Sequence, residues 1–559
     1  MNRRRFLTLA GSSLASFYAL GQERELHADV VVIGGGVGGV AAALAAARSG
    51  YRVLLTEETR WIGGQFTSQA VPPDEHPWIE MFGCTRSYRD YRNGVRRYYR
   101  EHFPLTATAR ANPTLNPGNG SVSRLTHDPR VSLAVLEAML APYAANGQLR
   151  ILLEHRAVAA DAHDGHVRSV EVQPTAGGVS RVLHGGYFLD ATELGDLLPL
   201  ARIEYFLGSE SSRSTGEPHA PTEARPGDIQ GITYCFAMEY RPGEDHTIER
   251  PRDYAFWRDY VPALRPPWPG KLLSGTAAEP RTLKPRTHAF DPLVNEHGGD
   301  GGLWTYRRIL DPRNFTPGYS PAGITLVNWP QNDYWLKSIV DVPPEAAASA
   351  REEARQLSFS LLYWLQTEAP RPDGGAGWKG LRLRADVVGS EDGLAPYPYI
   401  REGRRILAEF TILEQHVGTD ARAALTGKPR EELTAEVFPD SVGIGSYRID
   451  LHPSTGGENY VDISSLPFQI PFGALIPRNG GNLLAAAKNI GSTHISNGCY
   501  RLHPVEWNIG EAAGMAAAEA LRTRLSPSAI RASSKALAGF QRNLAAAGFE
   551  LSWPRLSPR

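Results

Sequence analysis

Cysteine is scarce: three in 559 residues, at positions 84, 235 and 499. So few, so far apart, exclude a disulfide scaffold and a cysteine-rich zinc site. A charge excess is lacking too. Lys and Arg number 59 against 60 Asp and Glu, a formal net charge of −1, so no basic surplus draws the whole chain to nucleic acid or an anionic membrane. The N-terminal apolar stretch is too short and too rich in Ser and Gly for a stable membrane span. The 16 histidines show no metal spacing, and His163-Asp164-Gly165-His166 reads as a hairpin tip; no metal is expected. Neither G-x-x-x-x-G-K-[ST] nor G-x-S-x-G occurs, which leaves nucleotide hydrolysis and serine-hydrolase chemistry without support. What is present is a large core, with 42% hydrophobic residues, and many turns, with 56 Gly and 42 Pro.

The first residues read as an address. Arg3-Arg4-Arg5 precedes Phe6-Leu7 and an uncharged run, and Ala19-Leu20-Gly21 offers a small-residue cleavage site. Arg3-Arg4-x-Phe6-Leu7 resembles the twin-arginine export signal; an ordinary secretory signal is the alternative. The expected location is periplasmic or otherwise exported.

Residues 28–57 carry a dinucleotide fingerprint. The β-branched run Val30 to Ile33 reads as a buried parallel strand. Gly34-Gly35-Gly36-Val37-Gly38-Gly39 follows at once, then an alanine-rich helix, then a second strand ending at Glu57. Gly34 permits the tight turn, and Gly36 lets a pyrophosphate approach the backbone. Gly38 completes the glycine-rich turn, and Gly39 lets the helix pack on the sheet. The helix N-terminus favours phosphate. Glu57 can accept from both ribose hydroxyls, and an acid there disfavours a 2′-phosphate.

Three further segments point to FAD rather than NAD. Gly63-Gly64-Gln65 supplies a close backbone approach and a hydrogen-bonding side chain. Residues 149–190 read as a helix exit, a three-stranded meander with a turn at Asp164-Gly165, and a return strand running to Asp190-Ala191-Thr192. Residues 481–489, ending at Asn489, lead through a loop to Gly510-Glu511-Ala512-Ala513-Gly514, read as the opening of a helix whose N-terminus stabilises negative charge on the flavin.

With these motifs the chain resembles the FAD-dependent oxidoreductases of the glutathione-reductase-type fold, and more narrowly the bacterial FAD-dependent oxidoreductase family distantly related to fumarate reductase and succinate dehydrogenase flavoproteins. The resemblance implies an α/β fold: a Rossmann-like FAD-binding domain with central parallel sheet and β-meander, plus an inserted α+β substrate or cap domain. The expected division is a leader at 1–21, FAD-binding parts at 28–205 and 431–525, the insert at 206–430, and a C-terminal helix and tail at 526–559. The resemblance also implies that Val158, on the meander's first strand, lends backbone bonds to the adenine. Where the fold usually reads Ala-Thr-Gly, this chain has Glu193 after Thr192.

Chemistry is expected on the loop 492–504, close to the flavin. His494 and His503 can exchange protons near neutral pH, Arg501 can clamp a carboxylate, and Tyr500 can hydrogen-bond substrate. For each histidine, capping the loop is the alternative. A second set, Asp74 to Trp78 and Gly83 to Arg89, can form a pocket wall. The arginine- and tyrosine-rich residues 86–100 read as a helix with solvated or paired arginines. Trp304 to Arg308 and Asn328 to Trp335 mix polar and aromatic residues, as sugar or amine pockets and structural edge strands both do. Residues 344–367 read as the best helix of the insert.

The sequence thus predicts an exported FAD-dependent oxidoreductase. It exchanges hydride between flavin N5 and a polar small molecule (sugar, amino acid or hydroxy acid), with an unidentified electron acceptor or donor as partner, no nucleic acid and no stable membrane span. Two alternatives stay open: an FAD-containing lyase or isomerase without net redox, and a non-catalytic envelope protein that binds flavin.

Overall fold

The structure, a computed structural model, describes residues 24–320 and 322–554. The expected leader lies outside the described residues.

Five parallel strands form the central sheet, in the order Leu483–Ala485, Tyr187–Asp190, Val30–Ile33, Val53–Glu57, Leu149–Leu153. Every residue of the Val30–Ile33 and Val53–Glu57 strands is buried, as a sheet covered on both faces requires. The first strand lies between neighbours added on opposite sides, so a crevice opens beyond the strands' carboxyl ends. Gly34, at φ +99°, makes the turn from strand to helix there.

The meander is also present. Strands His155–His163, His166–Pro174 and Arg181–His184 pair antiparallel, and Glu25–His27 adds to the last in parallel. Asp164 and Gly165 both take positive φ, +48° and +74°, the hand that a two-residue hairpin turn needs.

Helix Val37–Arg48 has only alanine, glycine, valine and leucine before its terminal arginine, and its first 11 residues are buried. Helix His503–Thr523 crosses it at very short range. A Cβ on Gly510 would lie 2.0 Å from the Gly38 carbonyl oxygen, and one on Gly514 would lie 2.3 Å from that of Ala42. This corrects two readings. The helix starts at His503, with Pro504 in its first turn, so Gly510 and Gly514 are mid-helix contacts and not its opening. Within 492–504, residues His494–Tyr500 are helical and capped by Thr493, so the expected loop is two helix starts in succession.

A second apolar cluster, drawn from residues between Leu194 and Tyr460, is dense in tryptophan: Trp257, Trp304, Trp329 and Trp378 are all buried in it. It is built around the antiparallel sheet Arg308–Leu310, Ile324–Val327, Phe236–Tyr240, Leu381–Leu383 and helix Pro344–Thr367. Among the described residues no helix is long and apolar enough to cross a membrane.

Candidate active site

The carboxyl ends of three parallel strands and the first meander strand enclose a narrow crevice. Gly34, Gly35 and Gly36 form its floor, with Thr56, Glu57 and Glu58 at one end. Ala191, Thr192 and Glu193 lie opposite, and His155, Arg156 and Ala157 form the meander side. The Glu57 carboxylate accepts from the Gly35 amide at 3.1 Å and from the Thr59 amide and hydroxyl at 2.8 and 2.7 Å. Burial pushes its carboxyl up to about 7 despite these donors.

A continuous polar chain leads out of this crevice. The Glu193 carboxylate lies over the glycine cradle, where a Cβ on Gly36 or Gly64 would come within 2.7 or 2.6 Å of its Oε1. Lys488 pairs with Glu193 and, at 3.6 Å, with Glu506 in the first turn of helix His503–Thr523. Gln65 donates to Glu506 and to the Arg501 carbonyl. Arg501 then reaches Asp450, at 2.9 Å to its carbonyl and 3.2 Å to its carboxylate, and the Tyr399 hydroxyl at 3.4 Å.

Beyond Arg501 opens a cavity of about 1090 Å³. Asp74, Arg307, Tyr399, Tyr447, Asp450 and His452 are among the residues lining it. The hairpin of strands Ile449–Leu451 and Val461–Ile463 pairs Asp450 with Asp462. Ile449 and Leu451 are buried, which leaves the intervening Asp450 on the cavity face. His452 Nδ1 lies 2.6 Å from the Asp333 carboxylate, which Arg401 also holds at 2.9 Å.

The candidate catalytic residues occupy different surroundings. Arg501 lines the cavity. His503 does not. Its Nδ1 accepts from the Asp74 amide at 3.1 Å, and burial, then the nearby Arg307, holds the imidazole well below its ordinary range. Its ring holds the Asp74 backbone beside Arg307. His494 faces a side pocket of about 430 Å³ with His219 and Asp228. There Glu402, 2.9 Å away, keeps it above its ordinary range although burial opposes this. The Tyr500 hydroxyl donates to the Gln469 carbonyl, and its ring stacks on Phe468 at 4.2 Å, so it packs the core instead of meeting substrate.

Of the cofactor candidates, Gly34, Gly36, Glu57, Gly64 and Ala191 line the crevice. The others do not. Gly38 and Gly39 approach the Ala486 and Gly34 carbonyl oxygens, and Gly63 packs on Leu136. Gln65 belongs to the polar chain. Val158 gives way to its neighbour Ala157, which faces the crevice. Asn489 donates to the Asp190 carbonyl at 3.0 Å, tying the two strands together. Gly510 and Ala513 are buried within the helix His503–Thr523, and Glu511 accepts from Ser87.

Sequence reasoning missed His452, Lys488 and Glu506 as site residues. The polar–apolar alternation of Ile449-Asp450-Leu451-His452 was the available signal; nothing local marks Asp333 as its partner. The arginine-rich helix is Arg86–His102, and its Arg92 and Arg96 are buried against Glu75 and Glu80. Cys84 is buried and its thiol pushed up to about 12 by that burial, which leaves no thiolate nucleophile. Among the described residues no three His, Cys, Asp or Glu side chains gather as a metal-ion site.

A glycine cradle at a helix start, a carboxylate at the end of the second strand and a meander wall make the crevice a dinucleotide site. The chain belongs to the FAD dependent oxidoreductase family. The family's model matches residues 29–544, and FAD is its cofactor. The residues present fit that group. Gln69 and Glu193 line the crevice, and their Nε2 and Oε1 atoms are buried without partners, as polar atoms facing a ligand site are. The Glu193 side chain lies over the glycine cradle and must leave it before a pyrophosphate can approach Gly36. No curated protein matches the chain. Among solved structures, a geranylgeranyl bacteriochlorophyll reductase-like protein from Thermoplasma acidophilum aligns with 94% of this chain and 85% of its own at 11% identity, with a TM-score of 0.32. L-Proline dehydrogenase from P. horikoshii aligns with 34% of this chain at 16% identity, with a TM-score of 0.17. The myxobacterial chondrochloren halogenase CndH aligns with 39% at 17% identity, with a TM-score of 0.22. The chain spans 25% of the dehydrogenase's length and 45% of the halogenase's.

Proposed function

We propose that this FAD-dependent oxidoreductase is exported and acts on a polar small molecule bound in the cavity beyond Arg501, with a separate electron acceptor or donor completing the cycle. The observation that carries this reading is the polar chain joining the glycine cradle to that cavity through Lys488, Glu506, Gln65 and Arg501. Bound FAD supplies hydride exchange at its N5. The chain's own residues do the rest. Gly36 admits the pyrophosphate, and Glu57 accepts from the ribose hydroxyls. The start of helix His503–Thr523, with Lys488, presents positive charge to the ring system. Arg501 and Tyr399 orient the substrate. His503 fixes Asp74, and through it Arg307.

Export rests on the twin-arginine-like start. The test is a purified preparation made with its leader. Bound flavin bleached anaerobically by a polar substrate, with cleaved protein in the periplasmic fraction, supports the reading. Correctly folded protein that takes up no FAD removes the chemistry, and retention in the cytoplasm removes the export.

A further inference from the structure

Eight arginines and four aspartates line the cavity. Most of the arginines meet a carboxylate: Arg308 and Arg313 pair with Asp311, Arg401 with Asp333, Arg448 with Asp462 and Arg501 with Asp450, but Arg307 and Arg501 each keep a donor free. Arg307 meets Asp74 only at 3.2–3.4 Å, and the Nε atoms of Arg307 and Arg501 are buried without an acceptor. A buried guanidinium donor left unpaired is costly, and a planar anion bound by the two arginines would satisfy it.

Aromatic side chains surround these arginines. Tyr306, Tyr399, Tyr447, Tyr460 and Trp329 line the same space, and such rings offer an apolar face with a polar edge. At about 1090 Å³ the cavity exceeds what a three- or four-carbon acid would fill, and its upper size matches ligands of two or more rings.

His452 provides a third recognition element. Its Nδ1 is held by Asp333, a side chain 1% exposed and fixed by Arg401 and the Thr233 hydroxyl. That contact fixes the ring and turns Nε2 toward the cavity, 3.6 Å from Asp450, where it can hydrogen-bond a ligand hydroxyl.

We propose that the cavity binds an acidic carbohydrate of the uronate class, its carboxylate taken by Arg307 and Arg501, a hydroxyl by His452 Nε2, and its ring faces by the tyrosines. This rests on the reading of the cavity as the substrate site, and it names the substrate class.

The test uses flavin-loaded protein and follows tryptophan fluorescence on titration with galacturonate, digalacturonate, galacturonamide, galactose and galactose 6-phosphate. The acids are expected to bind at least tenfold tighter than the amide and the neutral sugar, and digalacturonate tighter than the monomer. Arg501→Gln abolishes the preference for acid over amide while flavin absorbance is retained; Arg307→Gln, on a separate segment, provides the same test should the first variant misfold. His452→Phe weakens acid and amide alike, because it removes the hydroxyl's hydrogen-bond partner. Equal affinity for acid and amide in flavin-loaded protein overturns the proposal, as does tighter binding of the sugar phosphate. Acid preference in a protein that never takes up flavin upholds the proposal and removes only the redox reading.

Discussion

At the scale of single residues, two positions decide whether the crevice can do its work. A valine at Gly36 would place its Cβ where the Glu193 carboxylate already lies within 2.7 Å, and would project into the pyrophosphate path. Gly36→Val is expected to lower FAD affinity at least a hundredfold, about 3 kcal/mol, with the fold retained; flavin fluorescence released on dilution measures it. Asp190, beneath the crevice, is fully buried, and burial lifts its carboxyl to about 7 although Thr192 donates to it twice. The raised value means the folded chain holds this proton more tightly than the unfolded one. The stabilisation is therefore full below about pH 4 and is lost as pH rises through 7. Glu57 and Glu217 shift the same way, each to about 7. Flavin-free protein is expected to melt at a lower temperature at pH 8 than at pH 5. Asp190→Asn should reduce that difference by on the order of 2 kcal/mol, measured by denaturant melts at both pH values. A steeper pH dependence in the variant would contradict the assignment.

At the scale of elements, helices Val37–Arg48 and His503–Thr523 cross at very short range. Gly510 sits 2.0 Å, by its missing Cβ, from the Gly38 carbonyl oxygen. Gly510→Val forces the helices apart and is expected to destabilise by about 3 kcal/mol, with flavin lost in proportion, since the same helix carries Glu506 to the polar chain. Calorimetry with and without FAD checks it. This crossing also shows where sequence reasoning stops. The Val30–Ile33 strand, its glycine turn and the Val37–Arg48 helix were legible because each residue's role is local: β-branched burial, positive φ, helix propensity. Helix Pro344–Thr367 was legible from its proline start. Gly510 and Gly514 were misread as a helix opening because a glycine tolerated for packing looks, in sequence, like a glycine that ends or begins an element. Tyr500 looked like a substrate ligand for a related reason: its Phe468 partner and its Gln469 acceptor come from a different strand.

At the scale of the whole molecule, function depends on pairings between distant segments. His452 acquires its role from Asp333, and Arg307 from Asp74 and His503. No periodicity or spacing encodes such contacts, so the sequence exposes the cofactor crevice, formed largely from one contiguous unit, far better than it exposes the cavity. Lys488 and Glu506, which link the two regions, follow the insert in sequence and are set by the same long-range closure.

The order of strands in the central sheet has a consequence for biosynthesis. Leu483–Ala485 pairs with Tyr187–Asp190 at the sheet's margin, yet the ribosome makes most of the cavity-forming residues between them. During translation the nascent polypeptide therefore carries an unpaired margin of Tyr187–Asp190, an invitation to wrong partners. The sheet that underlies the glycine cradle is completed only after Leu483–Ala485 has been made.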